Sequence, residues 1–103
     1  MTMYGRVTQV QGSPERVDEG ISAYESDVLK VARDADGYRE ALLLVDRSTG
    51  KGIGMTFWDT EENRSKADAI LREARANTLQ AMGIDPASVP DPELYEVAVH
   101  DTK

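Results

Sequence analysis

The order of helical and strand-like segments is the feature that most constrains the fold of this chain. Apolar residues recur every three or four positions in two long stretches, which is typical of helices that pack on one face. Stretches rich in β-branched and aromatic residues predict four strands: residues 3 to 10, the two halves of residues 39 to 58 around a turn at Ser48 to Gly50, and residues 94 to 100. The order β-α-β-β-α-β predicts a ferredoxin-like α+β fold, in which two helices cover one face of a four-stranded, mainly antiparallel sheet.

Both predicted helices begin and end at residues that suit those positions. Ser13 is expected to cap the first helix and Asp59 the second, where Glu62 completes a capping box. Asp68 and Arg72, four residues apart in the second helix, are expected to form a small stabilising ion pair. The two helices are expected to end at glycines, Gly37 and Gly83.

The composition excludes several classes of function. A length of 103 residues suits one domain, which we expect to span residues 1 to 103. The net charge of −7 and the lack of any run of Lys and Arg predict no nucleic-acid partner. With no Cys and one His, the chain offers no disulfide framework, no thiol chemistry and no multi-histidine metal site, so we predict no metal.

The apolar segments are too short to place the chain in a membrane. The longest apolar run, ALLLV at residues 41 to 45, falls far below the length that spans a bilayer. The opening stretch MTMYGRVTQ lacks the basic and apolar regions of a signal peptide. We therefore expect a cytoplasmic protein with no membrane partner.

Strand periodicity assigns the side chains to two faces of the sheet. We expect the more apolar set, which includes Ile53, Met55 and Phe57, to pack under the helices. The second face is then amphipathic, with too much apolar surface for solvent and too many polar groups for an ordinary core. A second copy of the chain is expected to cover it, sheet against sheet, leaving a ligand cavity between the two sheets. Residues expected on this second face include Arg6, Thr8, Gly54, Thr56, Trp58, Ala98 and His100.

Three side chains of that second face carry the candidate chemistry. Trp58 is expected either to stack on a planar substrate and donate its indole N–H to an oxygen, or to cover the strand-to-helix junction. His100 is a candidate base near neutral pH, or an exposed histidine close to the chain end. Arg6 is a candidate to hold an anionic oxygen, or to pair with Glu96 across the sheet. The remaining candidate ligand contacts are Thr8, Gly54 and Thr56.

Three segments together resemble a known group of proteins. They are MYGRVTQVQGSPERVDE at the start, GYREALLLVDRSTGKGIGMTFWDTEENRSKA in the middle and YEVAVH at the end. The most telling feature is a strand that ends in Trp and is followed by an acidic helix cap. The chain resembles the dimeric α/β-barrel superfamily, and within it the antibiotic biosynthesis monooxygenase-like (ABM) domains. The resemblance implies a homodimer with a cofactor-independent, monooxygenase-like activity on a small aromatic or polyketide-type substrate.

The chain departs from the catalytic members of that group. Its polyketide oxygenases typically have an Asn four residues before the strand Trp, a position held here by Gly54. Its haem-degrading members need a His on the second helix and an Asn in the first strand, and this chain has neither, so we predict no haem. The alternative function is a non-catalytic dimeric module that binds a small ligand or regulates a partner.

Two unrelated modules share the predicted strand order. RNA-recognition domains place aromatic and cationic residues on their central strands, which the acidic balance and the strand GIGMTFW do not match. ACT-like amino-acid sensors usually bind their ligand at a loop after the first strand, where QGSPER is a weak match. An ACT-like sensor therefore stays an open alternative.

Overall fold

A computed structural model describes residues 2–103, which contain one four-stranded sheet. Every neighbouring pair of strands is antiparallel, and the order across the sheet is β2-β3-β1-β4. The strands are β1 (Met3–Gln11), β2 (Tyr38–Val45), β3 (Lys51–Trp58) and β4 (Glu93–Val97). This arrangement confirms the predicted ferredoxin-like α+β fold.

Two helical stretches cover one face of the sheet, and they pack against each other. The second is a single long helix, α3 (Glu61–Ala81). The first is composite: a 3-10 turn (Pro14–Arg16) leads into α1 (Val17–Ala23), a π-helical turn (Tyr24–Leu29) and α2 (Lys30–Ala32). Within residues 2–103 no helix combines the length and the apolar character needed to cross a bilayer.

The helix starts differ in detail from the predicted caps. Ser13 makes no side-chain capping hydrogen bond, and its hydroxyl donates to a carboxylate oxygen of Glu15 at 2.7 Å. Thr60 caps α3, with its hydroxyl oxygen accepting from the backbone N–H of Asn63 at 3.0 Å. The predicted capping box at Asp59 and Glu62 is therefore wrong. The helix begins one residue later than expected, which moves Glu62 out of the position that could close the box.

The last strand is shorter than predicted. It ends at Val97, and residues 98–100 lie outside the sheet. Val97 pairs with Met3, the first residue of β1. Beyond that pair β1 offers no further backbone partner, so the alternating pattern of residues 98 to 100 forms no ladder.

The sheet register confirms which residues share a face but reverses the predicted position of the helices. Arg6 lies opposite Thr56 and Thr8 lies opposite Gly54 across the β1–β3 ladder, as one face requires. The fully buried ring of Trp58, on that same face, packs into a core made by the helices. The expectation that Ile53, Met55 and Phe57 lie under the helices is therefore wrong. The buried partners of Trp58 are Val28, Ala32, Ala67, Leu71 and Ala74.

The reversal has a simple packing cause. The helix-facing side of β3 carries two glycines, one threonine and one tryptophan, so Trp58 alone brings a large side chain to the core. Most of the apolar core surface comes from the helices instead. The more apolar side of the sheet is left uncovered in a single chain, and we call it the open face. Its apolar members are Val7, Leu42, Leu44, Ile53, Met55, Phe57, Tyr95 and Val97.

Candidate functional site

A pocket of about 530 Å³ lies between the sheet and the helices of one chain. Strands β1 and β3 form one wall, the π-helical turn and α3 form the opposite wall, and residues 86–92 border it on a third side. This pocket lies within one chain, whereas the sequence predicts a ligand cavity between the sheets of two chains, which stays a prediction. Four of the six residues expected to form the site line this pocket: Arg6, Thr8, Gly54 and Thr56.

Small residues on two neighbouring strands create the space. Gly54 lies opposite Thr8 in the β1–β3 ladder, so neither strand fills the region beneath the helices with a large side chain. A Cβ atom added to Gly54 would have no atom of residues 2–103 within 4 Å other than those of residues 53 to 55. The position that interrupts the strand pattern in the sequence thus faces open pocket volume.

The π-helical turn brings Tyr24 to the pocket wall. Such a turn changes the direction of the side chains that follow it and is frequent at functional sites. Both Tyr24 and Val28 belong to this turn and line the pocket. Burial of its hydroxyl, followed by the charge of Tyr38 when ionised, raises the pKa of Tyr24.

Two arginines approach the same carboxylate at the polar end of the pocket. Arg6 Nε lies 2.9 Å from Asp68 Oδ1, while Arg75 Nη1 donates to that oxygen at 3.2 Å. Arg6 also donates from Nη1 to the hydroxyl of Thr8 at 3.0 Å. The arginine side chains are 17% and 16% exposed, against 43% for Asp68. Asp68 thus pairs with Arg6 and Arg75 rather than with Arg72 as predicted, and Arg6 does not make the expected pair with Glu96.

Hydrogen-bonding capacity remains unused at this end of the pocket. Among residues 2–103, the buried polar side-chain atoms without a hydrogen-bond partner are Arg6 Nε, Arg75 Nη2 and Tyr24 Oη. Although Arg6 Nε lies close to Asp68, its N–H is not directed at the carboxylate, so the contact is an ion pair without an aligned hydrogen bond. Buried polar groups are usually satisfied, so three unsatisfied atoms on residues that line one pocket indicate a place where a ligand or water binds.

The electrostatic environment of the arginines reflects their burial. Desolvation, followed by the neighbouring charge of Arg6, lowers the pKa of Arg75 to about 10. Desolvation also lowers the pKa of Arg6, against the opposing effect of Asp68. Both groups stay protonated at neutral pH, so two cations at this end of the pocket share one nearby carboxylate.

Trp58 does not line the pocket, but it contacts Thr56, which does. Its ring is 0% exposed and meets Tyr38 edge to face, with ring centroids 5.8 Å apart. Its indole Nε1 donates to the hydroxyl of Thr56 at 3.1 Å, and Thr56 in turn lines the pocket. The expectation that Trp58 stacks on a ligand is not met, because the helices cover its ring completely. The alternative, an aromatic residue at the strand-to-helix junction, matches its position.

His100 lies away from the pocket. Its Nε2 is 3.5 Å from a carboxylate oxygen of Glu40, whose side chain is on the open face with Phe57. The predicted grouping of His100 with Arg6 on one face is therefore wrong, because the chain leaves the sheet at Val97. A basic role for His100 in this pocket has no geometric support.

Among the pocket residues that the sequence prediction missed are Asp68, Arg75 and Tyr24, and one pattern in the sequence could have indicated the first two. Asp68 and Arg75 share the helical spacing of Leu71 and Thr78, which are both buried on the core side of α3. Charged residues within a buried stripe are costly unless they are paired, so they merit attention as candidates. No comparable pattern marks Tyr24 as a site residue, since its place in an apolar stripe is equally typical of core packing.

Comparison with known proteins adds relatives whose activity is not described. No family model matches the chain. The uncharacterised protein Rv2557 of Mycobacterium tuberculosis is 37% identical over 82 residues, which are 72% of this chain and 37% of that protein. A second uncharacterised protein of the same organism, Rv2558, is 35% identical over 60 residues, which are 58% of this chain and 25% of that protein. The chain thus spans about a third or less of the length of these curated relatives.

Solved structures share the fold over nearly the whole chain. The "putative antibiotic biosynthesis monooxygenase" of Bordetella bronchiseptica is 12% identical with a TM-score of 0.68, covering 97% of this chain and 99% of that chain. The protein of the same name from Nitrosomonas europaea is 12% identical with a TM-score of 0.69, covering 93% and 90%. Likeness at this level of identity shows a common fold and leaves the chemistry to the site. The chain therefore shares its fold with proteins named as antibiotic biosynthesis monooxygenases.

Proposed function

We propose that the pocket binds a small, largely apolar molecule of aromatic or polyketide type, and that the protein oxygenates it without a cofactor. The observation that carries the proposal is a cavity of about 530 Å³ with a mixed apolar lining and two desolvated arginines at one end. This volume suits a small organic ligand. The shared fold with proteins named as antibiotic biosynthesis monooxygenases supports the class of reaction.

An anthrone illustrates the proposed reaction. The ring methylene loses a proton, the carbanion adds dioxygen, and the resulting peroxide loses water to leave a quinone carbonyl. One oxygen atom enters the product and the other leaves as water, so the substrate supplies all the electrons. The contribution of the protein is to bind the substrate anion, orient it and exclude bulk water.

Three residues that line the pocket would contact the ligand in this proposal. Arg6 would stabilise the substrate anion, and the hydroxyls of Thr8 and Thr56 would contact the ligand beside it. Asp68 is engaged by both arginines, and His100 lies outside the pocket. The substrate proton is therefore proposed to pass to a single water molecule held in the pocket rather than to either of these side chains.

Oxygen uptake with an anthrone and a quinol tests the proposal. We expect the protein to raise the rate of oxygen consumption at least about tenfold over buffer, a lowering of the barrier by roughly 1.4 kcal/mol. Gly54→Val should remove this acceleration, because its side chain enters the empty part of the pocket. The stability of the variant should change little, since valine suits a strand and its Cβ atom meets no neighbour within 4 Å there. Equal rates with and without the wild-type protein would exclude the oxygenase activity.

A non-catalytic ligand-binding module is the second candidate function. Gly54 stands where the resemblance to polyketide oxygenases leads us to expect an Asn, and of the two carboxylates that line the pocket, Asp68 is already paired with both arginines. This candidate is favoured if small aromatic molecules raise the melting temperature without turnover, and if Gly54→Val abolishes that rise.

We further propose that a second copy of the chain covers the open face. Leu42, Leu44 and Tyr95 are 46%, 48% and 53% exposed on that face in the single chain. A contiguous apolar sheet surface of this kind is typical of a protein–protein interface. Pairing through the same face of both copies would produce a two-fold symmetric dimer.

Sedimentation of a charge variant tests the dimer. We expect Leu44→Glu to raise the dimer dissociation constant at least about a hundredfold, because it buries a charge in the apolar interface. Ile70→Glu is the matched control, since Ile70 is similarly exposed at 54% but lies on α3. A wild-type protein that remains monomeric at micromolar concentration would contradict the proposal.

A further inference from the structure

We propose that Arg6, Arg75 and the hydroxyl of Tyr24 form a binding site for the carboxylate, or an equivalent planar oxyanion, of the ligand that enters the pocket. The inference deepens the proposed function and rests on it for the apolar remainder of the ligand. The ligand would then carry an anionic group at one end, which these three side chains bind.

The positive charges of Arg6 and Arg75 outnumber the single negative charge beside them. Arg6 and Arg75 both approach Oδ1 of Asp68, at 2.9 Å and 3.2 Å, so one negative charge faces two positive charges. Both arginine side chains are less than one fifth exposed. Two desolvated cations at one carboxylate leave an excess positive charge that an anionic ligand group would neutralise.

Hydrogen-bond donors on the same three side chains are left without partners. Arg6 Nε and Arg75 Nη2 are buried without a hydrogen-bond partner among residues 2–103, and so is the hydroxyl of Tyr24. All three side chains line the same pocket. A carboxylate accepts several hydrogen bonds at once, and guanidinium groups match its planar geometry. A neutral amide would accept fewer and would leave the excess charge uncompensated.

The site is held by three separate elements and is therefore preorganised. Arg6 comes from β1 and is oriented by its hydrogen bond to Thr8 at 3.0 Å. Tyr24 comes from the π-helical turn and Arg75 from α3. Donors fixed in position before binding lose little side-chain entropy when the anion arrives.

The overall negative charge of the chain should restrict anion binding to the pocket. The chain carries a net charge of −7, so its surface as a whole repels small anions. A bound carboxylate must therefore gain its affinity from the buried arginines and from the apolar pocket beside them. This predicts that an apolar ring and a carboxylate on one molecule bind better than either group alone.

Three probes separate these contributions: 2-naphthoate, its neutral analogue 2-naphthamide, and acetate, each titrated at constant ionic strength. We expect 2-naphthoate to bind at least about tenfold more tightly than 2-naphthamide, as charge-assisted bonds to buried arginines would give. Arg75→Met should bring that ratio close to one, and Tyr24→Phe should lower 2-naphthoate affinity about fivefold. Arg33→Met, which removes an equal charge from an exposed turn, should leave the ratio unchanged.

Tyr24→Phe removes a single hydroxyl, so it keeps the inference testable even if Arg75→Met does not fold. Equal binding of the two naphthyl probes, lost in Gly54→Val, would overturn the anion site while leaving the apolar pocket intact. A preference for 2-naphthoate that survives both Arg75→Met and Tyr24→Phe would also overturn it. Acetate binding as tight as 2-naphthoate binding, and lost in Arg75→Met, would support the arginine site and contradict the proposed apolar ligand. Failure of all three probes to bind at millimolar concentration would overturn the inference.

Discussion

Replacing Trp58 with alanine is expected to lower the free energy of unfolding by about 4 kcal/mol, the usual cost of removing a large buried aromatic side chain. The ring is 0% exposed and is surrounded by both helices, so its loss leaves a cavity that the surrounding backbone cannot fill. Trp58→Phe keeps part of the ring and should cost less, about 1–3 kcal/mol, from a smaller cavity and the loss of the bond to Thr56.

Urea unfolding followed by far-ultraviolet circular dichroism measures both changes, since the variants lose the tryptophan fluorescence. Ile70→Ala is the control, because Ile70 is 54% exposed on α3 and should cost less than about 1 kcal/mol. Thr56→Val, which leaves the buried indole N–H without its acceptor, should cost about 1–3 kcal/mol. A loss below 1 kcal/mol for Trp58→Ala would contradict the assignment of Trp58 to the core.

Replacing Asp68 with asparagine is expected to lower the free energy of unfolding by about 2–3 kcal/mol, because two buried guanidinium groups then face each other unpaired. The expected loss is below that of a fully buried pair because the Asp68 side chain is 43% exposed. The pKa of Arg75, lowered to about 10, keeps the repulsion present at neutral pH. Carboxylate anions should partly restore the stability by neutralising the two guanidinium groups, so sodium acetate should stabilise the variant more than sodium chloride does at equal ionic strength.

Asp18→Asn is the matched control for that experiment. Asp18 pairs with Arg47 at 2.9 Å on the surface, where both side chains are mostly exposed, so its loss should cost no more than about 0.5 kcal/mol. The double variant Asp68→Asn with Arg75→Met should regain most of the lost stability, since it removes the repulsion itself. An Asp68→Asn variant as stable as the wild type would contradict the charge imbalance on which the anion site depends.

The candidate site was predicted in part. Arg6, Thr8, Gly54 and Thr56 were grouped correctly because alternate residues of paired strands share a face. His100 was misplaced because the pattern continued beyond the residue where β1 offers a partner. The donors of α3 and of the π-helical turn were missed because a contact between two helices and a sheet depends on their packing, which local periodicity does not contain.

The amino-acid sequence by itself determined the order of elements, the hairpin of β2 and β3 and the alternation of side chains along each strand, since these follow from local periodicity and turn residues. Only the tertiary structure decided which face the helices cover. The strand pattern favoured the side of Ile53, Met55 and Phe57, yet the helices supply most of the apolar core surface and need from β3 only Trp58. Glycine at position 54 then leaves space where a core side chain would lie, and Arg6 and Arg75 meet there across a single carboxylate. Arg6 lies on β1 and Arg75 on α3, far apart in the sequence, so their contact with one carboxylate depends on tertiary packing and not on any local pattern.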